Sequence, residues 1–85
     1  MAILSCYRFT AKTKLGIFTA ESVTDLKYAI IVQDDWLKTP PEVFVWVDDL
    51  ASAKEGLLMA MAAGRPYERT VLLAPVTGKK WLRDP

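Results

Sequence analysis

Two acidic pairs, Asp34-Asp35 and Asp48-Asp49, are the residues nearest in kind to a metal or general acid–base centre. Adjacent positions on a helix point about 100° apart, so neither pair converges by itself on one ion or one substrate atom. Asp48-Asp49 stands where a helix needs its N-cap, and Asp34-Asp35 falls on the polar side of a helical pattern. The single cysteine, Cys6, sits in an apolar stretch, where a thiol is a small hydrophobe rather than a nucleophile. Thr77-Gly-Lys-Lys80 lacks the upstream glycine of a phosphate-binding loop. The chain has 0 histidines, so the commonest general base and metal ligand is missing. No catalytic residue, metal or cofactor is expected, and the chain reads as a non-enzyme.

Binding chemistry is better represented. Trp81 lies among Lys79, Lys80 and Arg83, and Arg8 lies between Tyr7 and Phe9. Rings stack on bases while cations meet phosphates, so Arg8, Lys79, Lys80, Trp81 and Arg83 are candidate contacts for single-stranded nucleic acid. Charge is segmented in the same sense: residues 1–20 carry +3, residues 21–68 carry −5 and residues 69–85 carry +3, for a total of +1. The two basic ends form one patch only if the fold makes them neighbours. The acidic middle opposes phosphate binding, which makes nucleic acid the alternative reading rather than the first.

Length and composition bound the rest. A chain of 85 residues, 52% hydrophobic and 25% charged, is expected to form one compact domain over residues 1–85. No window approaches about 18 uncharged apolar residues, and Met1–Cys6 has no basic flank, so neither a membrane span nor a secretory leader is expected and a cytoplasmic location is.

The elements that must position these side chains read in the order ββαβαβ, with a further short strand at the end. Ala2–Thr10 and Leu15–Ala20 read as a hairpin around a polar break at Ala11–Lys14, with Gly16 marking a bulge or a close approach. From Ser22, a good N-cap with Asp25 in a capping-box position, a first helix is expected to about Lys38, ended by Pro40-Pro41. Its apolar arc, Leu26 to Leu37, spans roughly 200°, wider than one sheet contact requires. Val43–Val47 is the clearest strand. Asp48-Asp49 then caps a second helix to about Ala63, with Gly64 as its stop. Tyr67–Pro75 and Lys79–Arg83 complete the strands. The expected fold class is α/β (α+β), with a single mixed sheet of four or five strands and both helices on one face.

Three of the strands, Ala2–Thr10, Val43–Val47 and Tyr67–Pro75, are apolar on both faces. In Val43–Val47 the three valines oppose Phe44 and Trp46, and in Tyr67–Pro75 Val71 and Leu73 oppose Leu72 and Ala74. Helices on one face leave the other to be covered by an internal element, a second copy or a different protein. The second helix also carries small residues at Ser52, Gly56, Ala60 and Ala63, a face suited to tight packing. The expected function is a small protein-binding module, possible as a homodimer, acting as an inhibitor or adaptor on a larger complex. Inhibitors of that type are carried by phages and other mobile elements. Phe44 and Trp46 are the expected anchor, with Tyr28, Trp36 or Trp81 as the second contact, tryptophan being the residue most enriched at binding hot spots.

Overall fold

The computed structural model describes residues 5–34, 39–63 and 69–83. In chain order the elements are β1 (Cys6–Thr13), β2 (Gly16–Ser22), β3 (Tyr28–Asp34), β4 (Glu42–Val47), α1 (Leu50–Ala62), β5 (Arg69–Pro75) and β6 (Gly78–Arg83). They form two three-stranded antiparallel sheets, β2-β1-β6 and β4-β3-β5. This overturns the expected single mixed sheet with two helices: the fold is α+β with one helix among the described residues.

The error lies at β3. Tyr28-Ala-Ile-Ile-Val-Gln-Asp34 is not a helix but the central strand of the second sheet. Ala29, Ile30, Ile31 and Val32 are all buried, whichever way they point. A strand covered on both faces is a continuous apolar run, and on a helical wheel such a run fills an over-wide arc. Three β-branched residues in succession favour the strand. The capping signals serve other ends. The Ser22 hydroxyl accepts from the Thr24 amide at 3.0 Å in a local turn, and Asp25 accepts from the Lys27 ammonium at 2.7 Å. Trp36, Leu37 and Lys38, the end of the expected helix, lie outside the described residues.

The second helix forms as expected. Asp49 is its N-cap, its carboxylate accepting from the Ser52 amide at 2.6 Å. Gly64, its expected stop, lies outside the described residues. Because β4 and β5 both run antiparallel to β3, they run parallel to each other, with β3 between them and α1 as their crossover.

Layering explains the two-faced strands. Ile30, Val32, Val45, Val71 and Leu73 face α1, where Leu57 and Ala60 meet them. Ala29, Ile31, Val43, Trp46, Leu72 and Ala74 face the first sheet, which contributes Ala11, Leu15 and Phe18. The second face of the central sheet is thus covered from within, by the β1–β2 hairpin. That hairpin turns at Lys14-Leu15 rather than at the polar break read from the sequence, and Gly16, at φ 139°, follows the turn. The Leu15 amide donates to the Thr13 hydroxyl at 3.0 Å, and that hydroxyl donates to the Gly16 carbonyl at 2.9 Å. Leu15 is therefore a turn residue that also packs into the core.

One irregularity matters for the candidate anchor. Ile30 pairs with Val45 but Ile31 pairs with Val43, so Phe44 is the extra residue of a bulge. The bulge puts Val43 and Trp46 in the same core cluster and Val45 in the other, replacing the strict alternation read from the sequence.

Candidate interaction surfaces

The first surface is built by β1. This strand is the middle of its sheet and pairs with both β2 and β6, so the two basic ends of the chain become neighbours. Directly opposed residues share a face. Arg8 faces Glu21 on one side and Lys80 on the other, Thr10 faces Thr19 and Gly78, and Lys12 faces Ile17. Turned away from the core, this outer face is exposed at Arg8, Lys12, Ile17, Thr19, Glu21 and Lys80. Arg8 and Arg83 share Glu21, at 3.7 and 3.6 Å, and both contacts are open to solvent. Such pairs are weak, so the arginines remain available to an anion.

The inner face carries the aromatics. Tyr7 pairs with Trp81, and Phe9, almost fully buried, pairs with Lys79. The Lys79 ammonium lies 4.3 Å from the centroid of the Tyr7 ring and donates to Asp25 at 3.1 Å. Asp25 is held below the usual carboxylate range, first by the hydrogen bond from Lys27 and then by that from Lys79. An open cavity of about 320 Å³ lies here, lined by Phe9, Asp25, Leu26, Lys27, Val76 and Lys79 among others. Both of its lysines already share the one carboxylate, Asp25, which leaves a single net positive charge. The five nucleic-acid candidates, Arg8, Lys79, Lys80, Trp81 and Arg83, are therefore brought onto two paired strands but divided between two faces. Trp81, 54% exposed, is on the face opposite Arg8 and Lys80.

The second surface is the outside of α1, which sequence reading did not single out. The buried side of the helix is small, at Ala53, Gly56 and Ala60, while Ser52 is half-buried and Ala63 exposed. Large apolar side chains are left pointing outward: Leu50, Leu58, Met59 and Met61, with Leu58 69% exposed. At about 100° per residue, Leu50, Lys54, Leu58 and Met61 fall within about 80° of one another, beside Ala51 and Ala62. The signal was present in the sequence: between Leu50 and Ala62 the only charged residues are Lys54 and Glu55.

The described members of the expected protein anchor, Phe44, Trp46, Tyr28 and Trp81, do not assemble into one surface. Trp46 packs between the two sheets, Phe44 is 38% exposed at its bulge, and Tyr28 is half-buried at the start of β3. Trp81 stands on the other sheet, and Trp36 lies outside the described residues.

The acidic pairs are placed differently from each other. The Asp34 carboxylate accepts from Arg69 Nε and Nη2 at 2.6 and 2.9 Å, and Arg69 Nη1 donates to the Ala60 carbonyl at 2.9 Å. This fork ties β3 and β5 to the last turns of α1. It holds the Asp34 carboxyl below its ordinary range and raises Arg69. Asp49 is held low chiefly by the backbone hydrogen bond from Ser52. No group of three or more His, Cys, Asp or Glu side chains converges among the described residues, and no described helix is long and apolar enough to cross a membrane. Compared with protein-family models, curated proteins and solved structures, the chain matches none.

Proposed function

We propose that the chain is a non-enzymatic protein-binding module that docks through the outer face of α1, its first partner being a second copy of itself. The observation that carries this reading is the exposure of Leu50, Leu58, Met59 and Met61 on one short helix. Three of these, Leu50, Leu58 and Met61, share a single face with Met59 off to its side; large apolar side chains on one face are costly to leave in water, and at about 25 cal/mol per Å² their burial drives association.

Self-pairing is favoured by the pattern on that face. An antiparallel crossing centred near Gly56 sets Leu50 against the partner's Ala62 and Met61 against the partner's Ala51, large against small. Lys54 then lies about three residues, or roughly 4.5 Å along the axis, from the partner's Glu55, within reach of an ion pair. A helix of 13 residues is about 20 Å long, so its face falls short of the ~800 Å² per partner of a standard interface. The dimer is therefore weak and concentration-dependent.

Sedimentation equilibrium over a wide concentration range tests the reading, with Leu58→Lys, which sets a cation against the partner's Lys54, as the disrupting variant. Leu58 is exposed, so the variant keeps its fold, which circular dichroism checks. A monomer–dimer equilibrium abolished by Leu58→Lys supports the proposal. A monomer at every concentration, or a dimer indifferent to the substitution, overturns it.

A further inference from the structure

We infer that the outer face of the β2-β1-β6 sheet is a docking surface for the phosphate backbone of duplex DNA, used without base stacking. This goes beyond the protein-binding reading and rests on a different face of the molecule. Sequence order alone leaves the two +3 ends apart, and the pairing of β1 with both β2 and β6 is what merges them. The merged face is arranged in two cationic ends and a low middle. Lys12 stands at one end, and Arg8, Lys80 and Arg83 stand at the other. Between them lie Thr10, Thr19 and Gly78, two hydroxyls and a residue without a side chain. Lys and Arg neutralise phosphates, and threonine hydroxyls donate to phosphate oxygens. Arg8 and Lys12, four residues apart on β1, stand about 13 Å from each other, roughly twice the spacing of neighbouring phosphates, so a backbone running along β1 meets a cation at every second phosphate.

Two features decide against stacking and in favour of the backbone. The exposed aromatic of this sheet, Trp81, is on the opposite face, and the register gives the outer face no aromatic residue at all among those described. Among the described residues, the acids of the middle segment other than Glu21 also lie away from this face. Asp25 and Asp34 are engaged by Lys27, Lys79 and Arg69, and Glu42, Asp48, Asp49 and Glu55 belong to β4, α1 and the turn between them. Glu21 is the one acid on the outer face among the described residues, and it is shared by two arginines. Four cations less one acid leave about three charges for phosphate.

The test is fluorescence anisotropy with a labelled 20-base-pair duplex of mixed sequence, titrated between 50 and 200 mM salt. With three contacts the slope of log K against log salt is about −2.7, a loss of roughly 40-fold over that range. Lys12→Gln and Lys80→Gln, both at exposed positions, should each reduce the slope by about 0.9. Glu21→Gln, which releases Arg8 and Arg83, should tighten binding and steepen the slope. Trp81→Ala should leave duplex affinity unchanged. The inference is overturned by no binding at 50 mM, by a slope indifferent to Lys12→Gln and Lys80→Gln, or by weaker binding of Glu21→Gln. It is equally overturned if a single strand binds tighter than the duplex and Trp81→Ala removes that preference, since stacking would then be the mechanism. Displacement of the duplex by poly-glutamate at equal charge would reassign the face to acidic proteins.

Discussion

Adding one methyl group at Gly56 should destabilise the protein even though it improves the helix. Gly56 is buried in the middle of α1 against the central sheet. A Cβ there would overlap the Ile30 Cδ1 atom and lie 3.3 Å from Val45 Cγ1. Ile30 is fully buried and has nowhere to swing. Gly→Ala inside a helix gains about 1 kcal/mol of propensity, whereas overpacking a filled core costs about 1–3 kcal/mol. The net effect of Gly56→Ala is thus a loss of about 1 kcal/mol. Ile30→Val removes the colliding Cδ1 and by itself costs about 0.5–1.5 kcal/mol. Together the two changes exchange one methyl group for another in the same space and keep the helix gain, so the double variant should lie near the unsubstituted protein. The coupling is about 2 kcal/mol. Urea denaturation measures it, followed by far-ultraviolet circular dichroism and tryptophan fluorescence, Trp46 reporting the inter-sheet core. With a slope of about 1–3 kcal/mol per M, the Gly56→Ala midpoint falls by up to about 1 M. A higher midpoint for Gly56→Ala, or additive single effects, would show that α1 does not approach the sheet this closely.

Gly16→Ala should destabilise the β1–β2 hairpin by about 1 kcal/mol or more, because φ 139° is a conformation that L side chains rarely adopt; thermal melts check it. Asp49→Ala should lower the melting temperature by roughly 4–8 °C through loss of the helix cap, while Asp49→Asn should retain most of the stability. Asp25, Asp34 and Asp49 are all held below their unfolded values. Their contributions are therefore complete above the unfolded value of about 4 and are lost as pH falls through the folded values. Stability followed from pH 6 downward should fall below about pH 4, and Asp34→Asn should flatten that fall. An unchanged acid limb in Asp34→Asn would show that the fork to Arg69 contributes nothing.

Much of the local structure was legible in the chain because it depends on neighbours in sequence. The hairpin β1–β2, the strand at Val43–Val47, the Asp49-capped helix and the alternation of Val71 and Leu73 against Leu72 and Ala74 all follow from short-range pattern. The segment from Ser22 to Lys38 did not yield to the same reasoning. Its cap-like start and apolar run suit a helix locally, and what makes Tyr28–Asp34 a strand is the supply of partners on both edges and both faces. Those partners, β4, β5, α1 and the β1–β2 hairpin, come from elsewhere in the chain, so no local window contains them. The candidate surfaces divide in the same way. That Leu50 to Ala62 is too apolar for its own outer face is written in the residues themselves. Whether two basic ends about 70 residues apart form one surface is not, because a charge repels or attracts by distance in space. The pairing of β1 with β6 sets that distance, and only the tertiary structure makes the pair.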